Sequence, residues 1–313
     1  MRRYRVALFL LSLIILGLII LISNPAELAR KLSLSNPFYI VLGLAVSTAA
    51  NVFRVLKWSV LVNVKFLDLA PIQMLGMTVS NFTPGKVAEP AKTLLLKMKS
   101  GINVSQSLPS VIWERINDVV VLLLFSFVVI RFLPLSQNFL IVGWMSMLIF
   151  SAAVIMFLVI LKNKHAGFMF FRFLRRLPVG NKLPGTFAGT FYKSRIRKRK
   201  IFLGTGLTLI AWTLEGLILY LSFVSLGVNP PDVAILAGMI ALSALVGVVS
   251  TLPGGLGSFE AVMLLMIAPF GITGSTGVAG VLLYRFLSFW YAAFLGGLSF
   301  LYLTRKLNLN KLW

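Results

Sequence analysis

The chain has 313 residues, of which 58% are hydrophobic and only 12% charged, and its formal net charge is +22. A soluble domain would carry about twice that charged fraction, so the composition excludes an ordinary soluble protein and points to helices that cross a bilayer. Cysteine is absent and the only histidine is His165, which excludes disulfides, Cys/His zinc sites, haem-type ligation and a Cys or His catalytic centre.

A helical span needs about 20 mostly apolar residues. The first is expected over 6–23, behind Arg2, Arg3 and Arg5. That run is too long for a signal-peptide core and no small-residue cleavage site follows, so it reads as a retained span. Further spans are expected over 38–62, 108–132, 138–161, 201–226 and 277–303. Segments 70–99 and 232–270 are apolar but broken, at Thr83-Pro84-Gly85 and at Leu252-Pro253-Gly254-Gly255-Leu256-Gly257. The expected fold is therefore all-α, a polytopic helical membrane protein of about six to eight spans with one or two re-entrant Pro-Gly-broken segments. A single transmembrane domain covers 1–313. Its halves, 38–161 and 201–303, are joined by a basic loop over 162–200.

That loop holds 12 of the 30 Lys and Arg residues and no acid. By the positive-inside rule it is cytoplasmic, as are both termini. Of the 30 basic residues, 25 then fall inside and three, Arg30, Lys31 and Arg131, outside. Arg115 and Arg285 lie in helices. Arg54, Lys57 and Trp58, ending the second span, read as interfacial anchors or as headgroup-phosphate ligands. The basic balance fits topology and anionic lipid headgroups; nucleic acid is not an expected partner.

The two breaks repeat a pattern. Pro84-Gly85 is followed by Glu89 and, 26 residues later, by Arg115; Pro253-Gly254 is followed by Glu260 and, 25 residues later, by Arg285. If both segments are re-entrant they enter from opposite sides, as in the inverted repeats of transporters. The alternative is that 232–270 crosses as two spans.

Only eight acids occur in the chain. Glu27, Asp68 and Asp232 read as solvated or helix-start residues. Glu89, Glu114, Asp118, Glu215 and Glu260 sit in or beside apolar helices, where a charge is costly and marks a functional site by default. Buried structural ion pairs are the plainer reading. Glu114 and Asp118 share a helix face, with Arg115 between them. Glu215 has no neutralising neighbour in sequence, and Arg115 or Arg285 is its expected partner. Pro253, Gly254, Gly255 and Gly257 make either a bare turn or a phosphate cradle ahead of a helix that Ser258 caps. No Lys-Ser or Lys-Thr follows these glycines, so they are not a P-loop.

The stretches Asn51 to Trp58, Asn81 to Glu89, Glu114-Arg115-Ile116-Asn117-Asp118 and Leu252 to Glu260, with Arg285, resemble the flippase-like transmembrane family named for the membrane region of lysylphosphatidylglycerol synthase. The likeness covers roughly 6–305. It implies a multi-pass protein that moves or handles polar lipids, with no cofactor. In the bifunctional synthases a separate soluble domain makes the aminoacyl lipid; the sequence as given ends at Trp313 without one, so synthase activity is not expected. Lys86 and Ala88 stand where the family's motif has Arg and Gly, and Lys lacks the bidentate geometry. The leading expectation is a lipid transporter. Arg115 and Arg285 then bind phosphate, and Glu89, Glu260, Asp118 and Glu215 pair with them or carry coupling protons. A transferase using a lipid-phosphate donor, with Glu114 and Asp118 as base or metal ligands, is the alternative. A non-catalytic membrane partner is the third reading.

Overall fold

The computed structural model describes residues 2–83, 88–133, 137–175, 187–194 and 196–307. Helix α1 (Arg2–Ile22) gives way at Asn24 to α2 (Pro25–Ser33), and the two legs differ in direction by 84°. The Asn24 side chain accepts the Glu27 N–H and Pro25 opens the helix, a combination that leaves few unsatisfied N–H groups in the first turn. Helix α3 (Pro37–Val62) starts the same way behind Asn36 and stops at Asn63, whose φ is 63°. Next come α4 (Phe66–Asn81), a single 3-10 turn over Glu89–Ala91, and α5 (Lys92–Ser100).

Helix α6 (Val104–Phe132) precedes α7 (Gln137–Lys162), α8 (Lys164–Arg175), α9 (Phe187–Lys193) and α10 (Lys198–Ser225). Then follow α11 (Val233–Val249), α12 (Ser258–Ile267) and α13 (Gly274–Arg285). A π-helical turn over Phe286–Trp290 joins α13 to α14 (Tyr291–Leu307). Among the described residues there is no strand; each expected span falls on one or more of these helices, and the second break interrupts the chain between α11 and α12.

Five of these helical segments are long and apolar enough to cross a membrane, and six if α1 and α2 count as one bent span. That is the low end of the expected number. Helix α6 has the length, 29 residues, but carries Glu114, Arg115 and Asp118 through its middle. Large apolar side chains cover the outside of the bundle, such as Leu148 at 70% and Phe202 at 77% exposure, which suits a surface solvated by lipid tails.

The basic segment 162–200 is not simply a loop. It contains α8 and α9, pinned by a buried aromatic cluster of Phe171, Phe187, Phe191 and Tyr192, with Tyr192 donating to the Ile160 carbonyl. Aromatic residues between the charges supply enough burial to fold it.

Helix α3 runs along α10, α4 lies on α14, and α6 lies on α11. Small residues permit these approaches: a methyl on Gly238 of α11 would stand 2.5 Å from Val129 Cβ of α6. Helix α11 is buried on nearly all sides, from Leu236 to Ser243, and anchors the main apolar core with α10 and α12.

The second break is a tight turn that only glycine allows. Gly254, Gly255 and Gly257 have φ of 65°, 64° and 87°, and a Cβ on Gly254 would meet the Phe289 ring at 2.7 Å. Gly254→Val is expected to lower the thermal midpoint in detergent, at a cost of about 1–3 kcal/mol from crowding alone; an unchanged midpoint would contradict this turn. Ser258 is not the cap. It is the first residue of α12, and its hydroxyl donates to the Gly255 carbonyl at 3.0 Å and meets Ser250 Oγ at 2.9 Å. Pro84, Gly85 and Lys86 of the first break lie outside the described residues.

Candidate functional site

The second break packs against the C-terminal end of α4, just ahead of the first. A Cβ on Gly254 would lie 3.6 Å from the carbonyl oxygen of Asn81, at the end of α4. Beside this contact Phe82 and Phe289 pack edge to face, 5.5 Å between centroids. A cavity of about 130 Å³ opens here, lined from α3, α4, Glu89, α6, α10, α11, the second break, α12, α13, the π-helical turn and α14.

All five acids singled out in the sequence are buried at or behind this cavity, none more than 8% exposed. The other three behave as expected from sequence: Glu27 and Asp68 pair with Lys31 and Lys99 near the surface, and Asp232 precedes α11.

In the first half, Arg115 Nη2 stands 2.9 Å from Glu89 Oε1 and 2.6 Å from Asp118 Oδ2. In the second half, Arg285 Nε stands 2.7 Å from Glu260 Oε1. The two Glu–Arg pairs matched by spacing alone are thus two ion pairs in space. Arg285 Nε is close to Glu260 but not aimed at it, so neither atom has an aligned hydrogen bond. Arg285 Nη2 instead donates to the Gly254 carbonyl at 2.8 Å, and the guanidinium packs over Phe259 and Phe289. Glu260 also accepts the Gly257 N–H at 2.6 Å. Of the two readings of this turn, the phosphate cradle would need that donor free, and it is already used within the protein.

Glu215 pairs with neither Arg115 nor Arg285. Its partners are Arg54 Nη2 and the Tyr284 hydroxyl, the latter at 2.9 Å. Arg54 turns inward to this pair, its side chain 15% exposed, and also donates to Asn51 Oδ1 at 3.2 Å. Lys57 is likewise no anchor: it is 3% exposed, 2.6 Å from Asp118 and 3.7 Å from Glu114.

Sequence reading missed the most buried cation among the described residues, Lys92, counted among the 25 basic residues on the cytoplasmic side. Lys92 is 0% exposed. Its ammonium donates to Gln73 Oε1 at 2.9 Å, to Glu89 Oε1 at 3.1 Å and to Glu114 Oε2. It also lies 4.4 Å from the centre of the Trp58 ring. Gln73 closes the network by donating to Glu114 at 2.7 Å. Gly76 makes room, since a methyl there would stand 2.8 Å from Lys92 Cβ. The available signal was the spacing of Glu89 and Lys92, which places both on one face.

Among the described residues five cations, Arg54, Lys57, Lys92, Arg115 and Arg285, therefore balance the five acids, and each acid has at least one cation beside it. A buried charge without a partner would cost several kcal/mol. Glu114 and Asp118 are committed to lysines and Arg115. Among the described residues no group of three His, Cys, Asp or Glu side chains is placed to hold a metal ion.

Comparison with known proteins agrees with this architecture. The lysylphosphatidylglycerol synthase TM region family matches residues 9–296. A UPF0104 membrane protein of Methanothermobacter thermautotrophicus is 23% identical, covering 92% of this chain and 92% of that protein. A UPF0104 membrane protein of Pyrococcus horikoshii is 27% identical over 76% of this chain and 77% of its own. A phosphatidylglycerol lysyltransferase of Bacillus subtilis is 30% identical over 103 residues, which are 33% of this chain and 12% of that protein.

Proposed function

The chain belongs to the lysylphosphatidylglycerol synthase TM region family, and from that premise we propose that it translocates or handles a polar phospho- or glycolipid. The headgroup enters the charged cavity while the acyl tails stay in the bilayer. The observation that carries this reading is the cavity itself: arginines and carboxylates gathered inside an apolar bundle, where the two broken segments meet. The reciprocal packing of the halves supports it. Helix α4 of the first half lies on α14 of the second, α11 of the second lies on α6 of the first, and α3 runs along α10. Two related halves rocking about that seam would expose the cavity to each leaflet in turn. The positive charge of the basic segments supports a topology with both termini in the cytoplasm. The driving force is an ion gradient or the lipid's own gradient.

The test is movement of a fluorescent phosphatidylglycerol across vesicles holding the purified protein, read by quenching from outside. Wild type is expected to move the lipid. Arg115→Gln is expected to slow it about 10- to 100-fold, since a charge-assisted hydrogen bond contributes about 1.5–3 kcal/mol. No movement by wild type, or equal rates for the two, would sink the reading.

A further inference from the structure

Resting on that reading of the cavity, we propose that a headgroup phosphate binds by exchange: it takes Arg115 from Glu89 in the first half and Arg285 from Glu260 in the second. Each released carboxylate stays held by a second donor already in place.

The charge balance requires some such device. Among the described residues the buried network is electrically closed, five cations against five acids. An anion added to a closed network in a low-dielectric interior meets as much repulsion as attraction, unless a carboxylate withdraws. Exchange satisfies this, because one acceptor replaces another on the same guanidinium.

Geometry selects the two arginines. Arg115 has the most exposed side chain of the five cations, 35% against 15% for Arg54, 9% for Arg285, 3% for Lys57 and 0% for Lys92. It lines the cavity, and its Nε has no hydrogen-bond partner. A guanidinium with a spare donor suits the paired oxygens of a phosphate. Arg285 also lines the cavity, and its Nε lacks an aligned bond despite the nearby carboxylate.

The carboxylates have somewhere to go. Glu89, losing Arg115, keeps the Lys92 ammonium at 3.1 Å. Glu260, losing Arg285, keeps the Gly257 N–H at 2.6 Å. Neither is left as an isolated buried charge, which is the outcome that would forbid exchange. Lys92 and the Gly257 N–H are in this sense positioning groups.

The test measures binding of dihexanoylphosphatidylglycerol, and separately of inorganic phosphate, to the detergent-solubilised full chain through the fluorescence of Trp212, which lines the cavity. Glu89→Gln and Glu260→Gln remove the competing charge but keep an oxygen for Lys92 or the Gly257 N–H. Each is expected to bind the short-chain lipid about tenfold more tightly than wild type, about 1.4 kcal/mol. Arg115→Gln and Arg285→Gln are expected to bind at least tenfold more weakly.

Glutamine variants that bind no tighter than wild type, while unfolding at the wild-type temperature, overturn the exchange. If one variant does not fold, the other half decides. A wild type that moves lipid in vesicles while its glutamine variants bind no tighter loses the exchange alone. A wild type that shows the exchange pattern but moves no lipid keeps the exchange and loses the transport reading. The same pattern with inorganic phosphate and not with the lipid assigns the exchange to a soluble anion.

Discussion

Lys92→Met is expected to destabilise the protein by about 3–5 kcal/mol, the cost of leaving a buried ion-pair partner uncompensated. The ammonium is fully buried and serves Glu89, Glu114 and Gln73 together. Without it Glu114, itself 0% exposed, keeps Gln73 and two more distant cations, Lys57 at 3.7 Å and Arg115 at 3.9 Å. Thermal unfolding in detergent should show the loss. Adding Glu114→Gln to Lys92→Met should recover part of it, because the orphaned charge is then removed, and the double-mutant cycle gives the coupling directly. A change within about 0.5 kcal/mol would mean a solvated surface lysine and would contradict the placement of α5.

Arg54→Gln is expected to cost about 3 kcal/mol, at the low end for a broken buried pair because Tyr284 still donates to Glu215. A snorkelling arginine at a helix end would change stability by no more than about 0.5 kcal/mol on the same substitution. Thermal unfolding in detergent therefore separates the two placements of this side chain. Tyr284→Phe, which removes one hydroxyl donor, should cost about 1 kcal/mol, and its effect should grow when Arg54 is already gone. Equal effects in both backgrounds would show that Arg54 and Tyr284 do not share Glu215.

Much of the fold was legible because a bilayer leaves so few choices. Apolar runs of span length have to be helices, since no water satisfies their backbone groups. That is why the expected 38–62 and 138–161 coincide with α3 and α7 almost to the residue. The second break was legible too, since Pro and Gly in an apolar segment interrupt it wherever it sits. The pairs Glu89–Arg115 and Glu260–Arg285 could be matched because the repeat carries the same spacing twice. The aromatic hairpin of α8 and α9 was not, because charge density along 162–200 masks the phenylalanines between the charges.

The sequence by itself determined that this is a helical membrane protein, where its helices break, and which five acids lie inside it. Those properties depend on composition and on neighbours along the chain. Only the tertiary structure decided which cation answers each acid. Glu215 meets Arg54 from 161 positions away, and Asp118 meets Lys57 from 61 away. A basic residue near a helix end has the same local sequence whether it reaches toward the interface or turns inward. The choice rests on which carboxylate the packed helices bring within reach, because an unpaired charge is costly in the interior and nearly free in water. Arg54, Lys57 and Lys92 turned inward for that reason.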